Sequence, residues 1–141
     1  MQNFFQLPLA IAIRGNNYEE FERLISDGED VFANEDGFGY LHLSCHQEDL
    51  HFCERFISLG LDVNLQDEYQ ITPLQIALGP KAKEEIVMTL IKAGASTQIR
   101  DRKGLTILES YIRCQNINEN IVRILQEAEN FELDIKYPDC E

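Results

Sequence analysis

The chain contains 141 residues, 44% of them hydrophobic, which suffices for one compact domain with a core. Twelve basic against 25 acidic residues give a formal net charge of −13, which disfavours nucleic acid or an anionic membrane as partner and favours a protein. The four cysteines form no dense framework, which predicts reduced thiols in the cytoplasm. No lysine or arginine precedes the apolar stretch at residues 7–13, so we expect no secretory signal, and no run has membrane-spanning length.

Four segments in chain order each predict a short helix that is followed by a second, amphipathic helix. The first is LPLAIAIRG at residues 7–15, after which apolar residues at helical spacing occupy positions 21–25. The second is GYLHLSCHQ at residues 39–47, followed by apolar residues at positions 52–57. Neither first helix begins with a threonine or serine cap, so both depend on their neighbours for stability.

The third segment, QITPLQIALG at residues 70–79, carries the strongest helix-start signal. Thr72 can cap free backbone amides, and Pro73 occupies the first helical position, where no amide hydrogen is needed. Gly79 and the proline after it end the helix within about two turns. The fourth segment, TILESYIRC at residues 106–114, repeats the threonine cap. In both, a glutamine or glutamate three residues after the threonine predicts a capping box.

The four segments recur with a regular period. Their anchor leucines are separated by 32, 33 and 34 residues: Leu9, Leu41, Leu74 and Leu108. Three of the second helices run into a glycine that suits a left-handed helix cap: Gly28, Gly60 and Gly94. A period of this length indicates a stack of similar units.

On these residues the chain resembles the ankyrin-repeat family. The third unit is most similar, with DEYQITPLQIAL followed by EEIVMTLIKAGAS, and GLDVNLQD matches the link that precedes it. The resemblance implies an all-α solenoid of stacked helix–turn–helix units with projecting β-turn fingers. We expect a single domain over residues 1–141, with repeats at about 1–33, 34–66, 67–100 and 101–128 and a C-terminal extension at 129–141.

Several positions depart from the family pattern. Tyr40 replaces the proline of the second unit, where we expect it to be partly exposed. One extra residue separates the two helices of the third and fourth units, at GPKAKEE and CQNINEN, which predicts displaced loops. The alternation of Phe131, Leu133, Ile135 and Tyr137 with charged residues predicts a half-buried strand, either lying over the open side of the fourth unit or pairing with a partner.

All three histidines and two cysteines lie in HLSCHQEDLHFC, between His42 and Cys53, which raises a metal or redox hypothesis. Helical geometry instead places Cys53 on the apolar face of its helix. The resemblance implies a small buried residue at Cys45 and a hydrogen-bonding role near the helix start for His42, while we expect His46 and His51 to face solvent. No phosphate-binding loop or paired catalytic carboxylates occur, so we expect no catalysis, metal or cofactor. The metal-binding or redox-responsive protein remains the alternative reading.

The resemblance implies that a protein partner binds the fingertips and the exposed side of the inner helices. The candidate contacts carried over from the family pattern are Glu35, Asp36, Phe38, His46, Gln47, Glu68, Tyr69, Ile71, Arg102, Lys103, Leu105 and Arg113. The earlier fingers are acidic and the last unit is basic. Exposed Phe38, Tyr69 and Ile71 among these charges favour an interface.

We therefore expect a non-catalytic protein-binding module that is monomeric when unbound and recognises a partner with a basic surface. Its small size and acidity suggest an inhibitor or a neutraliser of the immunity or antitoxin type. The metal or redox alternative predicts bound zinc that resists a chelator.

Overall fold

The computed structural model describes residues 3–113 and 116–136. Within them a 3₁₀ turn (Phe4–Gln6) precedes four helix–turn–helix pairs. Their helices are α1 (Pro8–Arg14), α2 (Tyr18–Ser26), α3 (Tyr40–His46), α4 (Leu50–Ser58), α5 (Pro73–Ala77), α6 (Glu84–Lys92), α7 (Ile107–Ile112) and α8 (Glu119–Lys136). First helices contact first helices, as α1–α3 and α3–α5 do, and second helices contact second helices, as α4–α6 and α6–α8 do. The predicted all-α solenoid of stacked units is confirmed.

The predicted helix starts are confirmed in the third and fourth units. Thr72 Oγ1 accepts a hydrogen bond from Gln75 N at 3.4 Å, and Thr72 N donates to Gln75 Oε1 at 2.8 Å. Thr106 and Glu109 form the same reciprocal pair at 3.2 and 3.3 Å. The glycines that follow α2, α4 and α6 have φ between 87° and 101°, the left-handed caps that the sequence predicts.

The expectation that Tyr40 is partly exposed is wrong, because its ring lies inside the stack. It is 2% exposed, stacks on Phe56 at 5.5 Å between centroids and contacts Phe4 at 4.8 Å. Phe21 meets Phe52 and Phe56 in edge contacts nearby, so aromatic rings fill the space between the first two units. Burial raises the pKa of Tyr40 to about 12.

The loop between the two helices of a unit is longer in the third unit than in the first two, as the extra residue in its sequence predicts. Residues 15–17 and 47–49 join the helices of the first two units, whereas residues 78–83 join α5 to α6. Lys83 Nζ reaches back across this longer loop and donates to the Glu48 carbonyl at 2.9 Å. The long loop is therefore attached to the neighbouring unit.

The predicted C-terminal strand is wrong over the described residues, because α8 continues to Lys136. No glycine or proline interrupts residues 119–136, and this stretch is rich in strong helix formers. Ile121 and Leu125 lie on the buried side of this helix, whereas Phe131 is 66% exposed. The alternation of apolar and charged residues is too short to compete with a helix already begun at Glu119. Tyr137 lies outside the described residues.

The last turns of α8 hold the loop between the third and fourth units. Glu132 Oε1 accepts hydrogen bonds from Thr97 N and Thr97 Oγ1, both at 2.6 Å, and Glu132 Oε2 accepts from Ser96 Oγ at 2.8 Å. In the two earlier links Asp30 and Asp62 occupy the position of Ser96, and each supplies its own carboxylate to a nearby amide. In the third link Ser96 Oγ accepts from the equivalent amide, Gln98 N, at 3.1 Å, and Glu132 of α8 adds a carboxylate that binds Thr97 N.

Leu74 is 1% exposed at the start of α5, the shortest α-helix in the described part of the chain. We expect Leu74→Ala to lower the free energy of unfolding by about 2 to 5 kcal/mol, through lost burial and a residual cavity. Urea denaturation followed by circular dichroism measures this change. A loss below about 0.5 kcal/mol, the usual range for an exposed site, would contradict the packing described here.

Glu132→Ala leaves the buried Thr97 amide and hydroxyl without their acceptor. We therefore expect a loss of about 1 to 3 kcal/mol in the free energy of unfolding, because an unsatisfied buried donor retains its desolvation cost. Glu127→Ala on the same helix is the matched control, since Glu127 is exposed. Equal losses for the two substitutions in urea denaturation would argue against a stabilising role for the hydrogen bonds from Ser96 and Thr97 to Glu132.

Candidate functional site

The second finger is a hairpin of two short antiparallel strands, β1 (Asn34–Glu35) and β2 (Phe38–Gly39). Asp36 and Gly37 at its tip have φ of 52° and 88°, as a tight hairpin turn requires. A Cβ on Gly37 would clash with the Gln66 carbonyl oxygen, so only glycine lets this finger approach the third one so closely. Glu35 and Asp36 are exposed at the tip.

Phe38 anchors the base of the second finger instead of facing solvent freely. Its ring lies 5.6 Å from Phe5, 6.0 Å from Phe4 and 5.2 Å from the His42 ring, and the residue is half-buried. The expectation of an exposed Phe38 is therefore wrong, because the N-terminal 3₁₀ turn covers it.

Phe38 also borders a groove between the first two units, with a volume of about 470 Å³. His46, which is exposed, and Gln47, which is half-buried, lie on the α3 side of this groove. The other lining residues are Phe5, Arg14 and Leu43.

The third finger is held by one carboxylate. Asp67 Oδ1 accepts from Tyr69 N at 2.8 Å and from Ile71 N at 3.0 Å, which fixes the turn and leaves Glu68 and Tyr69 exposed. Tyr69 is 52% exposed. Ile71 is half-buried, so the expectation of an exposed Ile71 is wrong.

His42 connects the second finger to the third. Its Nδ1 accepts from Gly39 N at 3.2 Å, and its Nε2 lies 2.9 Å from the Ile71 carbonyl oxygen, to which it donates. This arrangement needs the neutral ring, and burial lowers the pKa of His42 accordingly. The predicted hydrogen-bonding role near the helix start is confirmed.

The fourth finger repeats the carboxylate turn of the third. Asp101 Oδ1 accepts from Lys103 N at 2.9 Å and from Leu105 N at 3.0 Å. Arg102 lies over the Tyr69 ring of the neighbouring finger, with its guanidinium carbon 5.6 Å from the ring centroid. Arg102, Lys103 and Arg113 are exposed, and Leu105 is half-buried.

A larger groove, with a volume of about 720 Å³, runs between the third and fourth units. It joins the two fingers to the first helices α5 and α7. The sequence prediction named Arg113 and all of its finger residues except Asp101, but it missed Gly79 and the helical residues, which are Gln75, Ile76 and Ser110. The signal that could have found them is their distance from the helix caps. Gln75 and Ile76 lie three and four residues after Thr72, and Ser110 lies four residues after Thr106.

The histidine and cysteine cluster does not assemble a metal site. Cys45 and Cys53 are buried with their Sγ atoms 3.8 Å apart, and this hydrogen bond together with burial raises the pKa of Cys45. His42 uses both ring nitrogens within the protein. Over residues 3–113 and 116–136, no three histidine, cysteine or acidic side chains are grouped to hold a metal ion. Cys114 and Cys140 lie outside the described residues.

Among the helices of the described residues, none is both long enough and apolar enough to cross a membrane. A family model described as "Ankyrin repeats (3 copies)" matches residues 41–137. The potassium channel KOR2 of Oryza sativa subsp. japonica is 33% identical over 94 residues, which are 67% of this chain and 13% of the channel. The potassium channel SKOR of Arabidopsis thaliana is 29% identical over 85 residues, 60% of this chain and 10% of the channel. The chain therefore matches only a small part of either relative.

The different surroundings of Phe38 and Tyr69 predict different effects on stability. Phe38→Ala removes three ring contacts and should lower the free energy of unfolding by about 1 to 2 kcal/mol, as expected for a half-buried aromatic side chain. Tyr69→Ala should change it by less than about 0.5 kcal/mol. Paired urea denaturation curves measure both values. A larger loss for Tyr69→Ala than for Phe38→Ala would contradict the placement of Phe38 as the more buried ring.

Proposed function

The chain belongs to the ankyrin-repeat family, and from this premise we propose that it acts as a non-catalytic module whose fingers and inner helices contact a partner protein. Ankyrin repeats are generally protein–protein interaction modules. The observation that carries the proposal is the row of fingers, which presents exposed charges and Tyr69 beside two open grooves. Aromatic and charged side chains together are typical of binding hot spots.

Rigidity of the fingers supports this use. Asp67 and Asp101 each tie two amides of their own finger, and His42 joins the second finger to the third. Because these loops are already ordered, a partner that binds them loses less conformational entropy than one that must order flexible loops.

We further propose that the partner presents a basic surface to the acidic fingers, and that the chain neutralises that partner by covering it. Glu35, Asp36 and Glu68 are exposed at the tips of the second and third fingers. The net charge of −13 would accelerate encounter with a basic protein. An inhibitor of the immunity or antitoxin type is the specific form of this proposal.

The test begins with affinity capture from the native host and identification of the captured protein by mass spectrometry. Its binding is then measured by surface plasmon resonance against the variant Glu35→Lys/Asp36→Lys/Glu68→Lys. We expect the association rate to fall by about tenfold or more at low salt and the difference to shrink as salt rises, because the attraction is screened beyond about 8 Å at physiological ionic strength.

A matched variant carries the same change in net charge on the second helices: Glu19→Lys/Glu54→Lys/Glu127→Lys. All three of these glutamates are exposed. This variant should retain most of the association rate, and Tyr69→Ala should weaken binding by about fivefold or more, as a hot-spot residue does. The proposal fails if the second-helix variant abolishes binding while the finger variants bind as the unmodified chain does.

A further inference from the structure

The groove between the third and fourth units differs in charge from the fingers before it. Its apolar side chains are Tyr69, Ile71, Ile76 and Leu105. Three cations, which we call the rim cations, also line it: Arg102, Lys103 and Arg113. We refer to this site as the basic groove.

The rim cations lack carboxylate partners in the part of the chain that the structure describes. The ion pairs found there involve Arg23 and Arg55, both on second helices. Asp101 is the acidic residue that lines the basic groove, and its Oδ1 is occupied by two amides of its own finger. Two further carboxylates are adjacent in sequence to lining residues: Glu68, exposed beside Tyr69, and Glu109, which accepts from Thr106 N.

This arrangement is unusual in a chain with twice as many acidic as basic residues. Twenty-five acidic side chains are available, yet none of those described forms an ion pair with the rim cations. Cations held close together repel one another, and an anion placed between them removes that repulsion. The chemistry of the rim therefore fits carboxylates supplied from outside.

The apolar residues between the rim cations add a second requirement. Carboxylates alone would leave Ile71, Ile76 and Leu105 facing water, whereas a large apolar side chain would cover them. Arg102 is positioned against the Tyr69 ring, so one rim cation is partly ordered before any anion arrives. The fingers on both sides are fixed by their Asp67 and Asp101 turns, so the groove keeps its shape.

We propose that the basic groove binds an acidic peptide segment of the partner protein, in which carboxylates flank at least one large apolar side chain. The inference rests on the proposed function in that the occupant is a protein. The partner would then make two contacts of opposite charge: its basic surface would bind the acidic fingers, and its acidic segment would bind the basic groove. Nucleic acid fits less well, because the neighbouring fingers place Glu68, Glu35 and Asp36 along the path of a longer polyanion.

Three fluorescein-labelled peptides test the proposal by fluorescence anisotropy with the full chain. The first surrounds a central pair of leucines with glutamates, the second replaces the glutamates with glutamines, and the third replaces the leucines with serines. We expect the first peptide to bind at least about tenfold more tightly than the second, and more tightly than the third. Its affinity should fall as salt rises.

Two variants with equal changes in net charge locate the site. Arg102→Glu/Arg113→Glu should weaken binding of the first peptide by at least about tenfold. Lys92→Glu/Arg123→Glu places two exposed reversals on the second helices and should change it by less than about twofold. Circular dichroism and urea denaturation establish that both variants fold. Tyr69→Ala should weaken binding of the first peptide, because it removes part of the apolar surface that the leucines contact.

Several outcomes would overturn the proposal. They are equal binding of the glutamate and glutamine peptides, equal loss in both double variants, and tighter binding of a single-stranded oligonucleotide than of the first peptide. Sedimentation that shows self-association of the chain, lost in Arg102→Glu/Arg113→Glu, would make a second copy the occupant and also overturn it.

The peptide experiment and the test of the acidic fingers can fail independently of each other. Glu35→Lys/Asp36→Lys leaves the basic groove intact and should bind the first peptide at least as well as the unmodified chain. If the first peptide does not bind while binding of the captured partner still depends on Glu35, Asp36 and Glu68, only the inference about the basic groove is contradicted.

Discussion

Burial between neighbouring helix pairs is the constraint on which this structure depends. α5 has five residues and α3 has seven, lengths at which an isolated helix is unstable in water. Each therefore exists because the next unit covers its apolar face. Aromatic rings fill the space between the first two units, and aliphatic side chains such as Leu74, Leu90 and Leu125 occupy the core of the last two.

The stacked core also determines where function can reside. Because the helices pack their apolar faces against one another, the fingers and the finger-facing sides of α5 and α7 stay accessible to solvent, and it is there that we propose a partner binds. Asp67 and Asp101 hold equivalent turns in successive fingers, so side chains at matching positions emerge at matching places. The acidic second and third fingers and the basic fourth finger then form one surface with two charge regions.

Features encoded by local sequence were predictable. The leucine period, the caps at Thr72 and Thr106 and the burial of Cys45 and Cys53 follow from the spacing of residues along the chain. Features that depend on distant residues were not. Tyr40 is buried because Phe56 and Phe4 enclose it, and Phe38 is covered by a 3₁₀ turn more than thirty residues earlier.

The C-terminus illustrates the same limit. Alternation around Phe131 favours a strand when read alone, but the helix that begins at Glu119 continues through it. Continuation places Glu132 against Ser96 and Thr97, where the third link lacks the aspartate of the earlier links. Ser96 and Glu132 lie 36 residues apart, so no local pattern connects them.

Hydrogen–deuterium exchange of the chain with and without its captured partner tests the central claim most directly. The fingers present backbone amides at residues 34–39, 67–71 and 101–105, and we expect binding to slow exchange there and along the first helices α5 and α7. The second helices α2, α4 and α6 should exchange as in the free chain. Protection confined to those second helices, with the fingers unchanged, would contradict the account.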